Sequence, residues 1–312
     1  MSADNNRTLL IAFGANLGIA VSKFVAAAIT GSSAMLTEGV HSVVDSTNQL
    51  LLIWGRRQAR KPPDQFHPMG YGRELYFWSF IVAVLVFALG AGVSVYEGVI
   101  HIAHPEEAVS PFIAYTVLVV AFVLEGGSTL AAFRDFRESK GDLGWWTAIV
   151  RSKDPPAFIV LLENGAAMAG LVVAAVGLAI SQVTGDPFFD GAASVVIGII
   201  LGLTALLLAV ESKALLIGEA ADPELVEGLR ALTLSHREVT GVGEILTSHS
   251  APDQITAMMS VDFDDTITAR QVETVVDRIE CEAATRWPEV RRLYIRPRRD
   301  AQSRTALDEP CD

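Results

Sequence analysis

The chain has 312 residues, of which 51% are hydrophobic, and its mean hydropathy is +0.38. This composition is too apolar for an ordinary soluble protein and indicates a membrane protein. The formal net charge of −12 at pH 7 argues against a nucleic-acid partner and weakly favours cationic partners. The two cysteines, Cys281 and Cys311, lie in the polar C-terminal part, so we expect neither a disulfide framework nor a cysteine-rich metal site.

Six apolar runs are long enough to cross a hydrocarbon core of about 30 Å as helices. They comprise residues 9–30, 33–55, 75–100, 111–133, 157–180 and 188–210. The first run follows a start with little positive charge and no small-residue cleavage site, so we expect it to be retained as a span.

Basic residues in the connecting loops predict how these spans are oriented. The loops after the second and fourth runs carry Arg56, Arg57, Arg60, Lys61, Arg134, Arg137, Lys140, Arg151 and Lys153. The other loops, residues 31–32, 101–110 and 181–187, contain no Lys or Arg. We therefore expect a multi-pass integral protein of the plasma or inner membrane, with both termini in the cytoplasm.

The second run carries ionisable side chains where a bilayer disfavours them. Glu38, His41 and Asp45 are spaced i, i+3 and i+7, which places them on one face of a helix. An ionised carboxylate at mid-membrane costs about 2.5–3.5 kcal/mol. A cation bound by the imidazole and a carboxylate one turn away would offset that cost. The alternatives are hydrogen bonds to neighbouring helices or a position at the membrane edge.

Polar residues also interrupt later parts of the membrane region. Glu163 and Asn164 fall within the fifth run and, with the second run, can complete a four-ligand site of nitrogen and oxygen atoms that suits Zn²⁺. The alternatives are a snorkelling Glu163 and an Asn164 that bonds another helix. For Glu125 in the fourth run we favour buried pairing over transport. Asp64 and His67, in the loop before the third run, either hold a metal loosely or are solvated.

After residue 210 the sequence changes in character, and residues 213–298 predict a small soluble α+β domain. Helices are predicted over residues 223–234 and 268–286, and strands over 242–248, 256–263 and 290–295, in the order α-β-β-α-β. The predicted domains are therefore residues 1–212, which span the membrane, and residues 213–298. Residues 299–312 form a polar tail that we expect to be disordered.

Three stretches resemble the cation diffusion facilitator family of zinc and other divalent-metal transporters. Residues 30–45, TGSSAMLTEGVHSVVD, resemble the second-span motif with its metal-binding HxxxD. Residues 67–73, HPMGYGR, are similar to the loop before the third span, and residues 190–200, DGAASVVIGII, to the start of the sixth. The resemblance covers roughly residues 8–298. It implies six transmembrane helices followed by a cytoplasmic, metallochaperone-like α+β domain that forms a homodimer.

The resemblance also implies a transport site, from which this chain departs in the fifth span. Aligned on the small-residue run that ends at Gly170, the two fifth-span ligands of the family fall on Val160 and Asn164. One ligand is therefore lost and the other is an amide, and Glu163 and Glu38 are candidates to substitute. The transport site is expected to comprise His41, Asp45, Asn164, Glu163 and Glu38.

Two further family features are only partly matched. Asp64 and His67 match a loop metal site, but Tyr71 stands where many members carry a second histidine, so we expect a weakened site. The charge contact of the family between the third-span entrance and the sixth-span exit maps to Arg73 and Glu219. No dinuclear zinc site is expected in the soluble domain, because the positions that hold ligands in some members are Ser260, Arg296 and Arg298.

The resulting interpretation is a homodimeric transporter that exports Zn²⁺ from the cytosol in exchange for protons by alternating access, with no cofactor. Mn²⁺, Fe²⁺, Co²⁺ and Cd²⁺ remain alternative cargoes because geometry, rather than the list of ligands, decides between them. A metal sensor or scaffold that kept the fold without transporting is the second alternative, since the fifth-span departure allows it. An intramembrane metalloprotease is disfavoured because the sequence contains no His-Glu-x-x-His motif, so we do not expect an enzyme.

Overall fold

The computed structural model describes the backbone of residues 3–104 and 111–298, but not the side chains of residues 3–16, 111, 139, 150 and 151. The predicted tail, residues 299–312, lies outside the described residues, as does Cys311. The chain divides into two compact units, Met1–Arg60 with Glu74–Lys213 and Lys61–Arg73 with Ala214–Asp312. The second unit thus includes the loop that the sequence placed in the membrane domain, so the exact domain limits of residues 212 and 298 stay predictions.

Long helices make up the first unit and overlap all six predicted spans, which confirms the fold class. They are α1 (Ala3–Thr30), α2 (Ser33–Ala59), α3 (Glu74–Leu85), a π-helical segment (Val86–Ala91), α4 (Gly92–Ala103), α5 (Pro111–Lys140), α6 (Trp145–Arg151), α7 (Pro155–Thr184) and α8 (Phe188–Ile217). The segments α3, π and α4 are continuous and form the third span, Glu74–Ala103.

Four of these helices are long and apolar enough, by length and composition alone, to cross a membrane. They are Glu74–Ala103, Phe112–Glu138, Pro155–Thr184 and Phe188–Ile217. The described apolar part of α1 is the shorter stretch Leu17–Thr30. Helix α2 has the length of a span, but one of its faces carries the polar residues Glu38, His41 and Asp45. We call this face the polar stripe, and it lowers the mean hydropathy of the helix. The polar groups of the stripe therefore need hydrogen-bond or charge partners from the surrounding helices.

A tight turn joins α1 to α2. Helix α1 ends at Thr30 because Gly31 adopts a left-handed conformation, with φ of 68°, and its backbone N–H donates to the Ala27 carbonyl at 2.8 Å. Helix α2 begins directly after Ser32, whose hydroxyl accepts from the backbone N–H of Met35 at 3.3 Å. The C-terminal end of α2 carries Arg56 and Arg57 in its last turn, where positive charges interact favourably with the helix dipole.

Helix α2 is at the centre of the first unit and packs against α1, α3, the π segment, α4 and α7. Small residues allow the close approach of the other helices. A Cβ at Gly98 of α4 would lie 2.7 Å from the carbonyl oxygen of Gly191 in α8, and a Cβ at Gly177 of α7 would overlap Ala193 of α8. This packing encloses the polar face of α2 in protein.

The second unit contains the predicted α-β-β-α-β fold. Its elements are α9 (Pro223–Leu234), β1 (Val239–Ala251), β2 (Gln254–Phe263), α10 (Ala269–Arg286) and β3 (Val290–Pro297). Strand β2 is central, antiparallel to β1 and parallel to β3. Helix α10 begins with a capping box in which Gln271 Oε1 accepts from the backbone N–H of Thr268 at 2.8 Å. Alternate β2 residues face the core, namely Ile255, Ala257, Met259 and Val261.

Candidate functional site

The polar stripe of α2 is buried, and its central pair has unused polar atoms. His41 is 1% exposed, and its Nε2 lies 3.5 Å from Asp45 Oδ2, one helical turn away. Both ring nitrogens of His41 and Oδ1 of Asp45 are buried and make no hydrogen bond to any described group. Buried polar atoms nearly always have a partner. This pair can therefore offer nitrogen and oxygen lone pairs to a ligand.

The stripe continues to Asn48, which connects α2 to α7. Asn48 Nδ2 donates to Glu163 Oε1 at 2.7 Å, and both residues are at most 3% exposed. Asn48 Oδ1 is buried and lacks a partner among the described residues. The carboxylates of Glu163 and Asp45 interact electrostatically. The structure thus brings His41, Asp45, Asn48 and Glu163 to one face of the α2–α7 interface.

Asn48 escaped the sequence analysis. It lies three residues after Asp45 and seven after His41, so its helical spacing was a usable signal. A neutral amide interrupts an apolar run less than a charge does, so Asn48 stood out less than Glu38, His41 and Asp45 on the same helix.

Asn164 contacts a different helix from its neighbour Glu163. Its Nδ2 donates to Ser128 Oγ of α5 at 3.2 Å. Adjacent residues on an α-helix point about 100° apart, so both side chains cannot face α2. The assignment of Asn164 to the transport site stays a prediction, and its described contact is with α5.

Glu38 also has another partner, which the sequence analysis missed. Lys23 of α1 is 0% exposed, and its Nζ lies 3.0 Å from Glu38 Oε2 and 2.7 Å from Glu125 Oε1 of α5. Lys23 also donates to Ser42 Oγ at 2.9 Å. The available signal was a lysine within the first apolar run. The preferred interpretation of Glu125, buried pairing, agrees with this contact, and a ligand role for Glu38 stays a prediction.

No cluster of three or more His, Cys, Asp or Glu with metal-binding geometry is preassembled among the described side chains. The five predicted ligands instead divide among contacts, namely His41 with Asp45, Glu163 with Asn48, Glu38 with Lys23, and Asn164 with Ser128. A four-coordinate metal at the α2–α7 interface would require the first two pairs to converge. It would then draw on the unpartnered oxygens of Asp45 and Asn48.

The predicted loop site has an internally satisfied carboxylate. Asp64 Oδ1 accepts from the backbone N–H groups of Phe66 and His67, and its Oδ2 accepts from the Tyr71 hydroxyl at 2.6 Å. His67 Nδ1 lies 3.5 Å from Asp64 Oδ1 and its ring packs on Tyr71. The hydroxyl of Tyr71 holds the pKa of Asp64 below its usual value. Tyr71 thus occupies an acceptor atom of the carboxylate that a metal would need.

Arg73 belongs to the second unit, where its Nη2 donates to Ser248 Oγ at 3.2 Å. A Cβ at Gly218 would lie 3.1 Å from that same nitrogen, so Arg73 passes close to the end of α8. The Glu219 backbone carbonyl accepts from the His249 N–H at 3.0 Å. The predicted charge contact between Arg73 and Glu219 stays a prediction.

The N-terminal end of α2 is capped by a carboxylate from α8. Asp190 begins the third of the resembling stretches, and its oxygens accept from Ser32 Oγ at 2.8 Å and from the backbone N–H of Ser33 at 2.7 Å. It is 3% exposed, and His101 Nε2 of α4 lies 3.8 Å away. A carboxylate here complements the positive end of the α2 dipole.

Comparisons with known proteins bear on this arrangement. The model of the cation efflux transmembrane domain matches residues 9–217. The mitochondrial proton-coupled zinc antiporter SLC30A9 of Xenopus laevis is 34% identical over 251 residues, covering 80% of this chain and 45% of that protein. Metal tolerance protein C4 of Arabidopsis thaliana is 36% identical over 197 residues, covering 62% of this chain and 43% of its own length.

A third relative matches along almost the whole chain. The manganese efflux system protein MneP of Bacillus subtilis is 23% identical over 304 residues, covering 93% of this chain and 95% of its own. In contrast, the chain spans less than half the length of the Xenopus and Arabidopsis relatives.

Proposed function

The chain belongs to the cation efflux family of membrane transporters, and we propose that it exports a divalent metal cation, zinc first among them, in exchange for protons. The observation that carries the proposal is the buried pair His41 and Asp45, whose unpartnered nitrogen and oxygen atoms face an α7 that supplies Glu163. The names of the Xenopus and Bacillus relatives, a zinc antiporter and a manganese efflux protein, support metal efflux as the common activity.

The proposed cargo site has one imidazole nitrogen and two carboxylates, from His41, Asp45 and Glu163, with Asn48 adding an amide oxygen. Zinc accepts such a mixed set of nitrogen and oxygen ligands, whereas oxygen-only sites suit Mn²⁺ or Mg²⁺ better. Mn²⁺, Fe²⁺, Co²⁺ and Cd²⁺ are the alternative cargoes. Asn164 and Glu38, the remaining residues of the sequence-based set, would join only after leaving Ser128 and Lys23.

Proton coupling would follow from the chemistry of these ligands. Histidine must be neutral and the carboxylates ionised to bind a metal, so metal entry expels protons and proton entry expels metal. Helices α2 and α7 would rock to open the site to each side in turn. The proposal includes a homodimer formed through the second unit and cytoplasmic termini.

A non-transporting metal sensor or scaffold is the second candidate. Its support is the departure in the fifth span, where Val160 stands at one ligand position of the family and Asn164, at the other, donates to Ser128 of α5. Such a protein would bind metal without moving it.

The test is uptake of Zn²⁺, Mn²⁺, Fe²⁺, Co²⁺ and Cd²⁺ into proteoliposomes under an imposed pH gradient. His41→Ala is the test variant, and His104→Ala is the matched control because His104 is exposed. Zinc uptake that follows the gradient, survives in His104→Ala and is abolished in His41→Ala is the expected result. Uptake of another metal would change the cargo, and equal flux in both variants would refute the site. Metal binding by folded protein without flux would favour the sensor.

A further inference from the structure

Lys23 of α1 is buried among three side-chain oxygens and binds each of them. It is 0% exposed. Its Nζ donates to Glu38 Oε2 at 3.0 Å, to Ser42 Oγ at 2.9 Å and to Glu125 Oε1 of α5 at 2.7 Å. A lysine ammonium carries three hydrogens, so every donor of Lys23 is used. The ammonium is therefore held in one place, as a bound cation would be.

The pocket around this ammonium is lined by oxygen atoms, and it holds more of them than the ammonium binds. Each carboxylate uses one oxygen on Nζ. The other two carboxylate oxygens, Glu38 Oε1 and Glu125 Oε2, are buried without a hydrogen bond to any described group. Buried polar atoms nearly always have a partner. The two carboxylates and the Ser42 hydroxyl thus form a cation pocket that Lys23 fills only in part.

The chemistry of this pocket suits a hard divalent cation. Carboxylate and hydroxyl oxygens are the ligands that Mn²⁺, Mg²⁺ and Ca²⁺ prefer. Ca²⁺ binds oxygen at about 2.3–2.6 Å, so the three oxygens around Nζ would move inward by roughly a few tenths of an ångström to hold it. Two carboxylates also match the charge of a dication. The proposed cargo site differs because it includes an imidazole nitrogen from His41, which zinc accepts readily.

We propose that Lys23 is a specificity-determining residue, a tethered cation that fills an all-oxygen metal site formed by Glu38, Ser42 and Glu125. While the ammonium is in place, a hard divalent cation has no room in this pocket and Glu38 is not available to the cargo site. Metal is thereby confined to the mixed nitrogen and oxygen ligands around His41, which favour zinc over manganese. This inference rests on the proposed function, because it concerns which cation reaches the cargo ligands.

The pocket lies beside the cargo ligands because α2 contributes to both. Glu38 and His41 are three residues apart, which is about 4.5 Å along the helix axis. Ser42 directly follows His41, and its hydroxyl donates to the Glu38 carbonyl at 3.0 Å. The unpartnered Glu38 Oε1 lies against Gly170 of α7, the helix that supplies Glu163. A metal ion in the pocket would therefore repel a second metal ion bound by the cargo ligands.

The experiment counts Mn²⁺ bound to the full-length protein in detergent, by electron paramagnetic resonance at rising Mn²⁺ concentration. Lys23→Met removes the ammonium and keeps an unbranched side chain, and Lys213→Met is the matched control at an exposed position of α8. Lys23→Met should bind about one more Mn²⁺ per protomer than wild type, because the vacated pocket supplies oxygen ligands. Lys213→Met should match wild type.

Two double variants show where the additional Mn²⁺ binds. Adding Glu38→Gln to Lys23→Met should abolish the gain, because the pocket then lacks one carboxylate. The gain should persist in a His41→Ala background, because His41 is not a ligand of the pocket. A Mn²⁺ count in folded Lys23→Met equal to that of wild type, or a gain that depends on His41, would overturn the inference.

The stability of Lys23→Met provides a second measurement, since the substitution leaves two buried carboxylates without their cation. Mn²⁺ that binds only the folded state should raise the unfolding temperature of Lys23→Met more than that of wild type. If the variant is unfolded without metal, Mn²⁺ should restore its fold, and a variant that stays unfolded at every Mn²⁺ concentration would overturn the inference. Failure of the proposed function is distinct, because wild type would then show no gradient-driven uptake of any metal.

Discussion

Gly170 of α7 gives the sharpest test of how the polar stripe is packed. A Cβ added at Gly170 would overlap Glu38 Oε1, and the next nearest atoms, Glu38 Cδ and Ile197 Cγ2, lie at 3.5 and 3.7 Å. Only the carboxylate can give way, because it is the one group in collision. Glu38 is 0% exposed and its other oxygen is bonded to Lys23 at 3.0 Å. Gly170→Ala should therefore push the carboxylate away from the ammonium.

The size of the effect can be worked out from the contact that is lost. Opposite charges 3.0 Å apart attract by about 5.5 kcal/mol at an effective dielectric constant near 20. Disrupting a buried ion pair typically costs about 3–5 kcal/mol. Replacing a helical glycine with alanine returns about 0.5–1 kcal/mol. The expected net loss in the free energy of unfolding is about 2–4 kcal/mol.

The assay is reversible unfolding in mixed micelles, with Gly165→Ala as the control. Gly165 lies in the same helix, and a Cβ there would meet nothing within 4 Å, so its substitution should be neutral or stabilising by up to about 1 kcal/mol. In a Glu38→Ala background the cost of Gly170→Ala should disappear, because the colliding oxygen is absent. Equal stability of the two glycine variants would refute the packing described for Glu38.

Three further predictions concern other parts of the molecule. Tyr71→Phe should raise the pKa of Asp64 toward its ordinary value by removing the hydroxyl donor, and an unchanged carboxyl titration by NMR would contradict this. Gly228→Ala should destabilise the second unit by about 1–3 kcal/mol, because the new Cβ overlaps the Trp287 ring. Gly241→Ala is the control, because a Cβ there would lie 3.7 Å from the nearest atom, Asp262 Cβ, and would not collide with it. Unfolding of both variants is followed by tryptophan fluorescence. Asp190→Ala should lower the unfolding free energy by about 1–3 kcal/mol by uncapping α2, and more than Asp186→Ala at an exposed turn.

The membrane helices and the His41–Asp45 pair could be identified from sequence because each depends on local information. Run length predicts a span, since the bilayer sets the length, and one-turn spacing predicts that His41 and Asp45 meet. Adjacent residues of a helix point about 100° apart, so the sequence also implied that Glu163 and Asn164 face different neighbours. The predicted site nevertheless included both residues as ligands. Strand β1 extends from Val239 to Ala251, beyond the predicted residues 242–248. The prediction was too short because register irregularities interrupt the alternation of the strand.

The partners of Lys23 could not be found in this way. A lysine in an apolar run signals that a counter-charge exists, but which of several acidic residues on other helices supplies it depends on tertiary packing. The same holds for the loop 61–73, which belongs to the second unit, where Arg292 Nη2 donates to the Pro68 carbonyl at 2.9 Å. Contacts between different helices and loops leave no periodic trace in one sequence.

The two-residue link between α1 and α2 has a consequence for how this protein can change over evolutionary time. Lys23 and Glu38 meet because the link of Gly31 and Ser32 reverses the chain after a fixed number of helical residues. Each residue added to a helix rotates the rest of that helix by about 100° and advances it by about 1.5 Å. A single residue inserted into α1 after Lys23, or into α2 before Glu38, would rotate one of these side chains away from the other by about 100°. The number of helical residues on either side of this turn is therefore constrained by charges buried several turns away from it.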